Sequence, residues 1–419
     1  MAFEDARFRR MIILAAALGV GVGLFGVAFN LLWHALESLI WHHVEFRPVD
    51  RIWISTLGGM IIGLLLMRFS DPGSMATMIY HFHKSGSLPM RDNLPVQPVS
   101  LVGLVAGQSA GPEGALTQAG GSLGGWFARK TGHPTYSRLL TLAGMGAGFG
   151  AFLGAPGGGA VLWLEMLHTR GLEYFEAIIP TMVCSSVAYL VMVVTIGHGV
   201  VQPWMVDAAS PFVWWMPLLA VLLGIIGGGV AKCYAMIFRW TGLLARRIRG
   251  PIILRTTLAG LIIGLLGYVF PLSYFYGSVQ METLFKLETA WPLLAGLLLA
   301  KMIAASVTVR GHWQGGLIIP HMFMGAVAGK IITLAMPGVD EVLIILCCMA
   351  AFNAAATQTP LSSALIVLAL TGYTHPAAVF LASLAGFLAG QGTVIIENKQ
   401  SRTEPVNFHH EPRESQLVP

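Results

Sequence analysis

Long apolar stretches separated by short polar ones dominate the chain and predict membrane-spanning helices. The run 11–33 has no charged residue and is longer than the about 20 residues that a helix needs to cross a bilayer. It also exceeds the apolar core of a signal peptide, about 7–15 residues, which predicts a retained first helix. Apolar stretches cover 11–36, 52–67, 94–128, 139–164, 177–205, 211–236, 256–273, 290–309, 315–336 and 342–396.

Several of these stretches are too long for one regular span and too short for two, and prolines and glycines interrupt many of them. Broken helices are tolerated at membrane depth only where they are buried in protein or line a watery cavity. The pattern therefore indicates a transporter or channel rather than a simple bundle. Glycines four residues apart, such as Gly59 and Gly63 or Gly260 and Gly264, predict helix faces that pack closely.

Composition narrows the class of protein further. Of 419 residues, 55% are hydrophobic and only 11% are charged, against about 25% charged residues in a typical soluble domain. No Asp, Glu, Lys or Arg occurs between Glu341 and Glu397, so this segment cannot form a soluble surface. These numbers exclude an ordinary soluble enzyme, a disordered chain and a nucleic-acid-binding protein, and they predict a polytopic membrane protein.

The basic residues predict how the chain is oriented. The apolar stretches predict a multi-pass protein of the cell (inner) membrane. Positive charge favours the cytoplasmic side, so Arg7, Arg9 and Arg10 predict that the N-terminus is cytoplasmic. The C-terminal tail is expected on the same side. Lys301 lies in the apolar stretch 290–309 and Arg310 directly follows it, and we expect both to mark helix ends by snorkelling.

The chain also contains an internal repeat. At one constant offset of 204 residues, three glycines and a proline recur in register, which predicts two halves, 1–210 and 211–400, followed by a short polar tail, 401–419. Such architecture places a site at the interface between the repeats. The sequence alone leaves open whether the halves are parallel or inverted. The recurring pairs are Gly111/Gly315, Gly121/Gly325, Gly125/Gly329 and Pro156/Pro360.

Three short segments, 73–77, 111–115 and 315–320, combine small residues with positions where a helix can begin. Helix N-termini carry unpaired N–H groups and the positive end of the helix dipole. Three such termini aimed at one point would form an anion site without any Lys or Arg.

Glu113 is the only charged residue between Asn93 and Ala128. An acidic side chain at bilayer depth costs about 2.5–3.5 kcal/mol. Interaction with the helix dipole stabilises such a side chain by only about 0.3–1 kcal/mol, which is too little to offset the cost of burial. Glu113 is therefore predicted to be a titratable group beside an ion path.

In order and spacing, the three segments resemble the signature loops of the CLC family of chloride channels and chloride/proton antiporters, which are of the GSGIP, GREGP and GIFAP types. The stretch AFLGAPGGGAVLWLE around Pro156 also resembles a helix of that family. The resemblance implies an all-α, polytopic homodimer in which each subunit has an inverted-repeat fold of tilted and partial helices. It further implies a gating role for Glu113, whose carboxylate competes with chloride, and anion binding by Ser74, Gly114, Leu317, Ile318 and Ile319.

The chain departs from the family at several positions, among them Met75 and Ala76, which replace the usual Gly-Ile of the first loop. Pro112 replaces the arginine before the glutamate, which removes one N–H donor and one positive charge. Met166 replaces the inner proton-transfer glutamate of the antiporters, and the adjacent Glu165 is a candidate for a proton path. Ile396 aligns with the pore tyrosine. These differences favour uncoupled or weakly coupled transport.

The sequence therefore predicts transport of chloride and similar monovalent anions. Fluoride/proton antiport and a non-conducting structural homologue are alternatives. An intramembrane enzyme is a further alternative, which the absence of a recognisable nucleophile motif or His-Glu-x-x-His metal motif disfavours. The expected partners are chloride, protons if transport is coupled, the lipid bilayer and a second copy of the chain. No cofactor, metal or nucleic acid is expected.

Overall fold

A computed structural model gives the architecture of the chain. In the described residues sixteen α-helices account for most of the structure, and six of them are long and apolar enough to cross a membrane. The predicted all-α polytopic fold is confirmed. The structure describes residues 2–41, 47–170, 174–197, 199–206, 210–393, 395–396 and 400–401.

Eight helices precede residue 210 and eight follow it. The first eight are α1 (Ala2–Trp41), α2 (Asp50–Phe69), α3 (Met75–Ser85), α4 (Asn93–Val105), α5 (Glu113–Lys130), α6 (Ser137–Leu153), α7 (Pro156–Met166) and α8 (Tyr174–Ile196). The second eight are α9 (Met216–Arg247), α10 (Ile252–Val269), α11 (Ser278–Phe285), α12 (Trp291–Arg310), α13 (Ile318–Thr333), α14 (Glu341–Thr357), α15 (Pro360–Leu370) and α16 (Pro376–Ala389).

The helix bounds repeat along the chain. Helices α14 and α15 begin and end 204 residues after the corresponding residues of α6 and α7. Equivalent partners also pack alike, since α5 contacts α6 as α13 contacts α14, and α1 contacts α8 as α9 contacts α16. The repeat seen in the sequence thus recurs in the helix bounds and packing, whereas the division at residue 210 stays a prediction.

Two pairs of equivalent helices pack directly against each other, α2 against α10 and α7 against α15. Between α2 and α10 the predicted glycine faces make the contact. A Cβ atom at Gly59 would come within 2.2 Å of the Thr256 carbonyl oxygen, and one at Gly260 within 2.1 Å of the Ser55 carbonyl oxygen. Because each of these helices packs against its own equivalent in the other repeat, the two repeats share an interface with pseudo-twofold symmetry.

One expectation for the basic residues is wrong. Arg310 is the last residue of α12, as expected, but Lys301 lies in the middle of that helix and is fully buried. Its ammonium donates to the carbonyl oxygens of Ser273 and Phe275, at 3.3 and 2.6 Å. Snorkelling is unnecessary because the turn after α10 supplies the acceptors inside the protein.

Near its C-terminus the described chain returns to the first half. Two short strands, β1 (His168–Arg170) and β2 (Gln400–Ser401), pair in parallel. The rest of the predicted polar tail, 402–419, lies outside the described residues.

Candidate functional site

The first signature segment links α2 to α3. Ser74 is the N-cap residue of α3, but its hydroxyl makes no capping bond to the helix. Gly73 adopts a left-handed φ of 81°, and a Cβ atom there would lie 2.2 Å from the Thr77 hydroxyl oxygen. The turn therefore requires glycine, and it leaves the Ser74 hydroxyl available to a ligand.

Glu113 opens α5 and is fully buried. Within the described part of the chain, neither carboxylate oxygen has a partner at standard hydrogen-bond geometry, although the N–H groups of Glu113 itself and of Ile319 interact favourably with the carboxylate. A Cβ atom at Gly111 or Gly316 would come within 2.2 or 2.7 Å of Oε2. The carboxylate thus fills space that only glycine leaves open.

The second and third segments contact each other through their backbones. The Gly111 N–H donates to the Gly316 carbonyl at 2.9 Å, and the Gly316 N–H donates to the Gly111 carbonyl at 2.7 Å, as an antiparallel bridge. Leu317 and Pro112 are the N-cap residues of α13 and α5. This bridge holds the N-termini of the two equivalent helices side by side.

Side chains attach the Ser74 turn to the third segment. The Gln314 amide donates to the Gly73 carbonyl at 3.0 Å, and His312 Nδ1 lies 2.6 Å from Asp71 Oδ2. Both contacts join positions 241 residues apart. The three segments that the sequence singled out therefore meet at one place.

A cavity of about 140 Å³ lies at this meeting point. Ser74, Leu317, Ile318 and Ile396 line it. A second cavity of about 30 Å³ also contacts Ser74, and its other lining residues include Gly114 and Gly315. Ile319 is fully buried beside the Glu113 carboxylate. The structure thus brings together every anion-site residue suggested by the sequence.

The family model described as "Voltage gated chloride channel" matches residues 58–391, most of the chain. The chain belongs to the voltage-gated chloride channel (CLC) family. Family members are channels or transporters, so the prediction that the chain is not an enzyme is confirmed.

Curated CLC relatives match over nearly their full length. The voltage-gated ClC-type chloride channel ClcB of Salmonella typhi is 25% identical over 390 residues, which cover 87% of this chain and 91% of ClcB. ClcB of Escherichia coli SMS-3-5 is 26% identical over 387 residues, with the same coverages of 87% and 91%.

Solved CLC structures share the fold. A CLC-type fluoride/proton antiporter aligns with a TM-score of 0.82 and 17% identity, covering 94% of this chain and 98% of that one. A slow cyanobacterial Cl⁻/H⁺ antiporter aligns with a TM-score of 0.77 and 20% identity, covering 91% and 94%. These matches confirm the CLC-type inverted-repeat fold.

The Glu165 carboxylate contacts the start of α15. It accepts hydrogen bonds from the backbone N–H groups of Leu361 and Ser362, at 2.9 and 2.8 Å. An acceptor at this place satisfies N–H groups that α15 cannot pair internally. Glu165 therefore joins α7 to α15, and its place on a proton path stays a prediction. Neighbouring Met166 is fully buried at the end of α7.

We expect Glu165→Ala to lower the free energy of unfolding by about 2–3 kcal/mol, because two buried N–H groups lose their acceptor. Glu165→Gln should lower the free energy of unfolding by less, since an amide oxygen still accepts a hydrogen bond. Thermal unfolding in detergent measures both variants. Unchanged stability combined with altered proton flux would instead favour the proton-path role.

Sequence reasoning did not assign a role to Asp71, Gln314 or His321. Asp71 accepts a hydrogen bond from the Gly73 N–H within its own turn. Its contact with His312, and that of Gln314 with Gly73, join distant segments, which no local pattern reveals. His321 lies one turn inside α13 and lines the larger cavity. A usable signal was present there, because a histidine one turn after a signature loop interrupts an apolar helix.

Proposed function

We propose that this protein transports chloride and similar monovalent anions across a membrane. The observation that carries the proposal is the meeting of the α3, α5 and α13 N-termini around two cavities that share Ser74. Leu317 and Ile318 line the larger cavity, and Gly114 lines the smaller one. Desolvating an anion in a low-dielectric interior costs tens of kcal/mol. Backbone N–H groups and helix dipoles offset that cost without holding the ion too tightly to leave. The proposed ligands are the Ser74 hydroxyl and the backbone of Gly114, Leu317, Ile318 and Ile319.

Glu113 is the proposed gate. Its carboxylate lies against Gly111 and Gly316, and the described residues place no ion pair on it. A buried carboxylate without a cationic partner competes with an anion for the same N–H groups. Protonation removes the negative charge and leaves these groups to chloride.

Proton coupling is proposed to be weak or absent. Exchange needs a proton acceptor on each side of the anion site, and the methionine at position 166 cannot carry a proton. The adjacent Glu165 carboxylate is held by two backbone N–H groups. Releasing it would leave two buried donors unpaired, which costs free energy.

The protein is further proposed to lie in the inner membrane of the cell as a homodimer, with both termini cytoplasmic. The basic cluster at the N-terminus supports this orientation. In that orientation Arg246, which lines the larger cavity, faces the cytoplasm together with Asp71. The cavity would then be the inner vestibule of the pathway.

Purified protein in liposomes under a chloride gradient should release chloride once a potassium ionophore clamps the voltage. External pH recorded in the same experiment should change little, because coupling is proposed to be weak. Protein-free liposomes are the control. Uphill proton movement would overturn weak coupling, and absence of flux would favour a non-conducting homologue.

Fluoride/proton antiport is the second candidate. It is favoured by the similarity in fold to a CLC-type fluoride/proton antiporter, at a TM-score of 0.82. Replacing chloride by fluoride in the same liposomes separates the two. Fluoride efflux with proton uptake, and no chloride efflux, would support this alternative.

A further inference from the structure

His321 is a fully buried histidine in the wall of the larger cavity. Its position follows from helix geometry, because residues three and four apart lie on the same helix face. His321 therefore shares a face of α13 with Leu317 and Ile318, which line the same cavity. Side chains in a helix lean towards its N-terminus, so the ring leans towards the site where the signature loops meet.

Aromatic rings enclose His321 on its other sides. The Tyr234 ring meets it edge-on at a centroid distance of 5.3 Å, and the Phe352 ring lies at 5.9 Å. Both rings belong to a buried apolar cluster that also contains Leu317. The imidazole is therefore held in place by packing, and the cavity is the open space beside it.

Neither ring nitrogen of His321 has a hydrogen-bond partner in the described part of the chain. Asn353 is near enough to interact with the ring, but no contact between them reaches hydrogen-bond geometry. Buried polar groups in proteins are nearly always hydrogen-bonded, and an unpaired one is costly. Imidazole always carries at least one N–H donor. The missing partner is thus expected to be a group that enters the cavity.

Other polar side chains of this cavity are already engaged within the protein. The Gln314 amide donates to the Gly73 carbonyl oxygen at 3.0 Å, and the Thr357 hydroxyl donates to the Asn353 carbonyl oxygen at 2.6 Å. Ile396 lines the same cavity and offers no side-chain donor. A further donor beside the Ser74 hydroxyl would strengthen anion binding, and His321 has the chemistry for it.

We propose that His321 is an anion ligand of this cavity and that its ring N–H donates to the bound anion. This inference rests on the proposed anion transport. It adds a residue that sets the affinity for chloride: an imidazole donor beside the Ser74 hydroxyl and the N–H groups at the start of α13. Water is the competing occupant, and the experiments distinguish the two.

Chloride-dependent thermal stability tests the proposal, because a ligand that binds the folded state raises its unfolding temperature. In anion-free buffer, His321→Leu should be as stable as the wild type or more so, since replacing an unpartnered polar group by an apolar one is not destabilising. The chloride concentration needed for a half-maximal shift should rise about tenfold or more. His321→Gln keeps an N–H donor and should restore most of the affinity.

His83 offers a matched control. It is also a buried histidine, but its Nε2 lies 2.9 Å from the Leu167 carbonyl oxygen. His83→Leu should lower the unfolding temperature and leave the chloride dependence unchanged. A His321→Leu variant with the chloride affinity of the wild type would overturn the proposal, whether or not its stability changes.

Bromide provides a readout that needs no variant. In crystals of the wild-type protein grown with bromide, an anomalous peak within hydrogen-bond distance of a His321 ring nitrogen is expected. A bromide peak at the signature loops with only water next to His321 would overturn the role of this residue and leave the proposed transport intact. Absence of both bound bromide and chloride flux would overturn the proposed function itself.

Discussion

Glu113→Gln should abolish the pH dependence of anion flux. In the wild type, acidification protonates Glu113, removes its negative charge from the N–H groups it occupies and raises the flux, by up to about tenfold per pH unit for a single titrating group. Glutamine resembles the protonated acid in size and carries no charge at any pH. Its flux should therefore stay at the acidic, open level throughout.

Chloride efflux from liposomes between acidic and alkaline pH measures this difference. Glu282→Gln is the matched control, because Glu282 is an exposed residue of α11 outside both cavities. It should retain the wild-type profile. A Glu113→Gln variant whose flux still fell with rising pH would remove Glu113 from the gate and point to another titratable group.

Gly144→Ala should destabilise the protein by about 3 kcal/mol. Gly144 in α6 faces Gly120 in α5, and a Cβ atom at Gly144 would lie only 2.0 Å from the Gly120 carbonyl oxygen. The clashing atom belongs to the backbone, so rotation of a side chain cannot relieve the clash. Helices α5 and α6 must move apart instead. Because α5 begins at Glu113, moving α5 away from α6 would displace this residue and should also reduce anion flux.

Gly229→Ala is the control for replacing a helical glycine where the new Cβ atom causes no clash. Gly229 lies in α9, and a Cβ atom there would meet no atom of the described residues within 4 Å. Alanine is the better helix former by about 1 kcal/mol, so this variant should be as stable as the wild type or slightly more so. The unfolding midpoint in detergent compares both variants, and equal midpoints for Gly144→Ala and the wild type would contradict the tight contact.

The sequence predicted much of the candidate site because its parts are local. Each signature loop carries its own turn chemistry, and the helices do begin at Met75, Glu113 and Ile318. The pairing of Gly111 with Gly316 was not predicted, since a backbone bridge between distant loops has no local signature. Lys301 was placed wrongly because its acceptors belong to the turn after α10.

By itself the sequence determined that the chain spans a membrane and that it repeats, and it predicted which three loops form an anion site. These properties follow from apolar length, glycine spacing and helix-start residues, all of which act within a few positions. Only the tertiary structure decided which loops touch, that Glu165 contacts α15, and that His321 lines the cavity with no hydrogen-bond partner among the described residues. Such contacts join residues from separate helices, and packing between the two halves sets them.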